Sequence, residues 1–206
     1  MTVSLRERKK LATKDALSQA ALDLAVERGL HAATAEAIAE AADVSTRTFH
    51  NYFSNKEDAI LFVAEREIRG LVDGLTARDD AEPILDSLEA ILVGFVGSGR
   101  AFDRTVAIIR LTAEHPALIA RHMAVHDATS NAMLAEIGRR TGTDPADDLY
   151  PRLVHHAFMA VARAVVERHV TNSGTGAPPT RRSLVAAVHD GFMQLRRGLP
   201  QPSSSD

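Results

Sequence analysis

Apolar residues recur along this chain at spacings of three and four, and no stretch alternates apolar with polar, so the pattern predicts an all-α protein. From Thr34 onward, Ile38 and Ala42 sit four apart on one face of a short helix. Val44, Phe49 and Tyr52 continue that apolar face on a second short helix, and Asp43 falls at the turn between them. Asp enters the left-handed backbone region that a sharp inter-helix turn demands, at more cost than Gly. Ala39 supplies the small side chain that two closely crossing helices need. Each helix start carries a signal: Thr34 with Glu36 in the first turn, Ser45 before the second helix, and Ser54 with Glu57 three residues later as a capping box. The pattern is helix, turn, helix, then a longer helix over residues 55–74.

Farther on, helices are predicted over 84–96, 101–114, 116–140, 146–170 and 180–198, separated by the polar break at 76–83, the Gly-Ser-Gly run at 97–99, His115-Pro116, and the turn at 141–145. A Gly-, Ser- and Pro-rich loop at 172–179 divides the last two. On these, Val154, Phe158, Val161 and Val165 form one stripe, and Leu184, Val188, Phe192, Leu195 and Leu199 another. Small residues at Ala157, Ala160, Ala164, Ala187 and Gly191 broaden both faces beyond what one intramolecular partner covers. A homodimer through the last two long helices is therefore expected, the alternative being an ordinary internal core.

At 206 residues the chain exceeds one small helical domain. The expected division is a helix-turn-helix domain over 1–54, a larger helical domain over 55–198, and a disordered tail over 199–206. With no Cys, no disulfide framework or thiolate metal site is possible, and a cytoplasmic location is expected. No run of about eighteen apolar residues suggests a membrane span. The net charge of -3 argues against a general nucleic-acid coat, yet Arg6, Arg8, Lys9, Lys10 and Lys14 crowd the first fourteen residues against Glu7 alone. Such a leader is either a solvated tail or, beside a helix-turn-helix, a grip on phosphate.

With Phe49 and Tyr52 turned inward, Thr46, Arg47, His50 and Asn51 face outward as a candidate reading surface. Arg47 suits guanine O6 and N7, and Asn51 suits adenine. Lys56, together with the free N–H groups of its helix start, is expected to hold phosphate, and so is the Tyr52 hydroxyl. The full candidate DNA-binding set is Thr34, Glu36, Ser45, Thr46, Arg47, Thr48, His50, Asn51, Tyr52 and Lys56.

From Leu5 to about Leu61 the sequence resembles the amino-terminal domain of the TetR family of one-component bacterial transcriptional regulators. The resemblance is carried by a first helix ending at Gly29, a Thr-led helix, a turn ending Val44-Ser45, the run Thr48-Phe49-His50-Asn51-Tyr52-Phe53, and the following Ser54-Asn55-Lys56-Glu57. Two positions depart: Asp43 stands where the family usually has Gly, and His50 where a Tyr commonly reaches DNA. The resemblance implies a ligand-responsive repressor that binds a palindromic double-stranded operator as a homodimer, with half-sites about 34 Å or a multiple apart. An activator of the same fold is the alternative. It also implies a small-molecule effector pocket in the middle helices, where Phe95, Phe102, Met123, Met133, Phe158 and Met159 suit an apolar ligand and Arg110 and Asn131 could orient a polar group. The same Phe and Met residues also read as plain core.

His122 and His126 lie four apart on one helical face, with His115 upstream and Glu114, Asp127 or His155 as further donors. A metal-binding helical protein is therefore a competing class, and a helical ligand-binding protein whose helix-turn-helix is only scaffold is another. No phosphate loop, nucleophile elbow or paired-carboxylate pattern appears, so neither enzyme activity nor a cofactor is expected.

Overall fold

The computed structural model describes residues 4–175 and 179–201, without the side chains of 117, 120–122, 124–126 and 171–175. Among the described residues the chain is helical throughout, with no strand: α1 Leu5–Arg28, a 3-10 turn Leu30–Ala32, α2 Ala35–Ala41, α3 Thr46–Tyr52, α4 Lys56–Thr76, α5 Ile84–Gly97, α6 Arg100–Glu114, α7 Pro116–Thr141, α8 Leu149–Thr175 and α9 Arg181–Arg196. Two compact units form, one from 1–68 with 103–127, the other from 69–102 with 128–206.

In the first unit, α1 starts on a capping box in which Ser4 Oγ accepts from the Glu7 N–H at 3.2 Å and the Glu7 carboxylate accepts from the Ser4 N–H at 2.9 Å. It ends at Gly29, whose φ of 83° is open to glycine and costly for other residues. Leu17, Ala21, Leu24 and Ala25 of α1 share one core with Ile38 and Ala39 of α2, Phe49 of α3, Phe53, and Ala59, Ile60, Val63 and Ala64 of α4. Ile108, Leu111 and Leu118 of α6 and α7 fill the same core, which is why the unit extends past the helix-turn-helix. Ala42, Val44 and Tyr52, expected in this core, pack against it half-buried. Ser18 Oγ donates to the Ala59 carbonyl at 2.5 Å, tying α1 to α4 inside the apolar interior.

In the second unit, Leu88, Leu92 and Val96 of α5, Val154, Phe158, Val161 and Val165 of α8, and Leu184, Val188 and Phe192 of α9 are buried. The crossing of α8 and α9 is close at Gly191, where an added Cβ would sit 2.8 Å from Val161 Cγ1, inside van der Waals contact. The expected stripes are thus largely the inner faces. Ala160 and Ala164 are exposed, and Ala187, Gly191 and Leu195 half-exposed, on the outer face.

Two boundaries depart from expectation. Helix α8 begins at Leu149, because Asp144 and Asp148 fold the preceding residues into turns, accepting from the Ala146 and Tyr150 N–H groups at 2.8 Å each. It continues to Thr175, shortening the expected loop, because a long helix adds one hydrogen bond for each further residue it fixes. Residues 202–206 of the expected tail lie outside the described residues.

The segment after α4 is held by α7. The Arg140 side chain, 1% exposed, donates to the carbonyls of Leu75 at 3.5 Å, Asp79 at 2.6 Å and Glu82 at 3.0 Å. Its neighbour Arg139 grips both Asp80 oxygens, at 2.9 and 2.7 Å. Hydrogen bonds from Arg78 and from Ser87 hold the Glu82 carboxyl down at about 2.

Candidate nucleic-acid interface

Local chemistry builds the turn between α2 and α3. Thr34 caps α2 by accepting from the Ala37 N–H at 3.2 Å, and Ser45 caps α3 by accepting from the Thr48 N–H at 3.1 Å. Between them Asp43 takes φ 53°, its N–H donates to Glu40 at 3.1 Å, and the Val44 N–H reaches back to Ala39 at 2.9 Å. These are the paired bonds of a Schellman ending with Asp in the position that Gly usually holds. The buried Phe49, 1% exposed, then orients α3. Its ring meets Phe53 at 6.0 Å and the edge of His50 at 5.3 Å.

That anchoring leaves Arg47, His50 and Asn51 exposed on one side of α3, with Thr46 half-buried beside them. Among the described residues Arg47 forms no ion pair or hydrogen bond, so its guanidinium is available. Thr34, Glu36 and Ser45 are exposed, while Thr48 and Tyr52 are half-buried. Thr34, Ser45 and Thr48 are already occupied at the caps, since the Thr48 hydroxyl pairs with Ser45 Oγ at 2.9 Å. Lys56 is also engaged within the protein: its ammonium donates to the Leu30 carbonyl at 2.8 Å, tying the start of α4 to the turn after α1. The cap of α4 is also not Ser54 with Glu57, because Asn55 Oδ1 accepts the Asp58 N–H at 2.7 Å.

The residues put forward for an effector pocket divide between the units. In the second, Phe95 and Phe102 meet edge to face at 6.2 Å, with the His169 ring 5.2 Å and the Arg181 guanidinium 5.4 Å from Phe102. Phe102, Phe158 and Met133 are buried, Phe95 and Met159 half-buried, and Asn131 exposed. Arg110 and Met123 belong to the first unit and are exposed, Met123 at 59%.

Three cavities are lined by other residues. One of about 240 Å³ in the first unit lies against Asp15, Gln19, Phe62, Arg66 and Arg104. Another of about 310 Å³ runs along the outer faces of α8 and α9, over Ala160, Ala164, Ala187, Gly191, Leu195 and Leu199. A groove of about 570 Å³ in the second unit is bordered by Glu82, Asp86, Arg140, Tyr150 and Arg196. The spacing of Leu17, Ala21 and Leu24 on α1 was available in the sequence as a core signal, whereas nothing local marked the Asp15–Arg66 pair at 2.5 Å or the Glu67–Arg104 pair at 3.3 Å. The side chains of His122 and His126 lie outside the described residues. Among the described residues no three His, Asp or Glu side chains gather as metal ligands. No helix among them is long and apolar enough to cross a membrane.

A capped helix-turn-helix with an exposed second helix, followed by a larger helical unit, defines a helix-turn-helix transcriptional regulator. The comparisons with known proteins agree. Residues 17–61 match the family described as bacterial regulatory proteins, tetR family, and residues 82–200 match the MftR C-terminal domain. The chain is 30% identical over 168 residues to the HTH-type transcriptional regulator TcmR of Streptomyces glaucescens, covering 78% of this chain and 74% of that protein. The chain belongs to the TetR family and is a DNA-binding transcriptional regulator. Solved structures share the fold. The fatty acid degradation regulator FadR from Bacillus halodurans superposes with a TM-score of 0.67 at 21% identity, over 92% of this chain and 97% of that one. FadR from Bacillus subtilis, solved in complex with stearoyl-CoA, gives 0.62 at 19% identity, over 89% and 98%.

Proposed function

We propose that this regulator is a repressor that binds a palindromic operator as a homodimer and is released by an apolar small-molecule effector. The observation that carries the DNA half of this reading is the exposed, unpaired Arg47 on a helix whose other side is pinned by Phe49. Arg47 is assigned to guanine, with Asn51, His50 and Thr46 completing base contact; Thr34, Ser45, Thr48 and Tyr52 position the backbone. Two such heads are needed, because one short helix reads too few base pairs.

The outer groove of α8 and α9 supports the dimer: small residues let a second copy approach, Leu199 on its lining is 65% exposed, and toward the start of α8 Leu149 and Leu153 are 64% and 57% exposed. Placing a carboxylate there, Ala164→Glu, should leave the chain folded but monomeric by sedimentation and weaken operator binding at least tenfold. A variant that stays dimeric refutes this face. For the effector, the Phe95–Phe102 pair, with Phe158 and Met133 buried and Met159 half-buried in the same unit, supports an apolar ligand, in keeping with the stearoyl-CoA bound by the Bacillus subtilis relative. An effector that prefers the DNA-incompetent state lowers operator affinity by its differential affinity for the two states, a coupling of about 1 to 3 kcal/mol.

Selection of bound sequences from a random duplex pool tests the whole reading. The wild-type protein should enrich a palindrome, and Arg47→Ala should bind it about 1 to 3 kcal/mol more weakly with relaxed preference at one base pair of each half-site. An unaltered preference removes Arg47 from base reading, and no enrichment at all overturns the operator.

A further inference from the structure

We propose that the cavity between α1, α4 and α6 is a second small-molecule site, lying in the first unit and made for a neutral ligand that carries an N–H donor beside a carbonyl: a primary carboxamide or a lactam on a single ring. The site is separate from the apolar residues of the second unit put forward for the effector. Its walls are Asp15 and Gln19 of α1, Phe62, Val63 and Arg66 of α4, and Arg104 of α6, all within the first unit. At about 240 Å³ it falls below the roughly 300 to 1,000 Å³ of drug-sized sites, so a ring with one polar substituent is the size that fits.

The need for a donor comes from Asp15. Its Oδ2 pairs with the Arg66 guanidinium at 2.5 Å, but its Oδ1 is buried, and among the described residues no donor reaches it. A buried acceptor without a donor is costly, which favours whatever supplies one. The neighbouring donors are committed elsewhere. Ser18 Oγ donates to the Ala59 carbonyl, Gln19 Nε2 donates to Asp23 Oδ1 at 2.6 Å, and the Lys14 ammonium lies over the Phe62 ring at 4.0 Å. The carboxyl torsion of Asp is soft, so Oδ1 can turn toward the cavity while Oδ2 keeps Arg66. A partner for a carbonyl is present as well. Arg66 and Arg104 both line the cavity and share Glu67 Oε1, at 3.5 and 3.3 Å, and a guanidinium has five N–H donors. Asp15 and Glu67 offset Arg66 and Arg104 in charge, so the ligand that fits is neutral. An ammonium would meet the two guanidiniums, and a carboxylate would bring no proton to Oδ1. An amide answers both, with its N–H to Asp15 Oδ1, its carbonyl toward the guanidiniums, and its ring against Phe62 and the buried Val63.

The test uses benzamide with the full chain, read by calorimetric titration and by the unfolding midpoint. Benzamide should bind saturably and raise the midpoint as its concentration rises, because it binds the folded chain alone. Acetophenone, in which a methyl replaces the NH2 group, should bind at least about tenfold more weakly, since it leaves Oδ1 unpaired. Asp15→Asn should erase that preference: its oxygen stays with Arg66 and its NH2 takes the place of Oδ1, so donor faces donor. Ala16→Trp, at an exposed residue of the lining, should block both ligands while leaving the Asp15–Arg66 pair in place, which keeps the site testable if Asp15→Asn fails to fold. Wild-type protein that binds the two ligands equally, or neither, overturns the site. So does a preference that persists in Asp15→Asn, or benzamide binding that survives Ala16→Trp. Operator selection is read without either ligand, so failure here leaves that reading intact.

Discussion

Phe49→Ala is expected to destabilise the protein by about 3 to 5 kcal/mol and to abolish operator binding. Phe49 is 1% exposed on a helix of seven residues, and a helix so short holds its place by packing rather than by its own hydrogen bonds. Its ring contacts Phe53, and its core is shared with Ile38 and Leu17, so truncation leaves a cavity where three helices converge. Because Arg47, His50 and Asn51 owe their direction to that anchor, binding should fail before the rest of the chain unfolds. Phe49→Leu should cost only about 1.5 kcal/mol and keep the operator, since most of the volume is preserved. Denaturant titration followed by helix content, with operator titration at matched folded fraction, measures both. Retention of wild-type operator affinity by the Ala variant would show that α3 is oriented by something else.

The second large effect is expected at Arg140→Met, which keeps the aliphatic bulk and removes the guanidinium. Three carbonyls then lose a side-chain donor at a site where Arg140 is 1% exposed: those of Leu75 and Asp79 keep the Arg78 and Glu82 N–H groups, at 3.2 and 3.1 Å, while the Glu82 carbonyl depends on the guanidinium. An acceptor left without its donor costs about 1 to 3 kcal/mol, and only one of the three is left so, so a total of about 1 to 3 kcal/mol is expected. Arg140→Lys should recover little, because one ammonium cannot span carbonyls that a planar fork reaches together. Thermal unfolding reports the loss, and hydrogen exchange should quicken first at residues 75–82. Protection there that matches the wild type would mean the segment is held by Arg139 and Asp80 instead.

How much was legible in advance depended on the range of the interaction. The caps at Thr34 and Ser45, the left-handed turn at Asp43 and the outward set on α3 all follow from periodicity and from hydrogen bonds reaching no more than five residues. The start of α4 shows the limit even at short range. Ser54 and Asn55 are both good caps, and what decides between them is which residue the preceding loop leaves outside the helix; here that is Asn55. The stripes on α8 and α9 were evident as apolar faces, but a stripe does not say which neighbour covers it. Packing on α5 took most of the large residues inward and left the small ones, with Leu195 and Leu199, facing out.

By itself, the sequence determined the all-helical class, the helix-turn-helix and the residues that α3 presents, because those are consequences of a 3.6-residue repeat and local capping. Only the tertiary structure decided that Lys56 is bound to Leu30, 26 residues away, and that Arg140 holds carbonyls 58 to 65 residues before it. Long polar side chains have several donors and many rotamers, and their partners are chosen by where distant segments happen to be packed. No spacing along the chain encodes that choice.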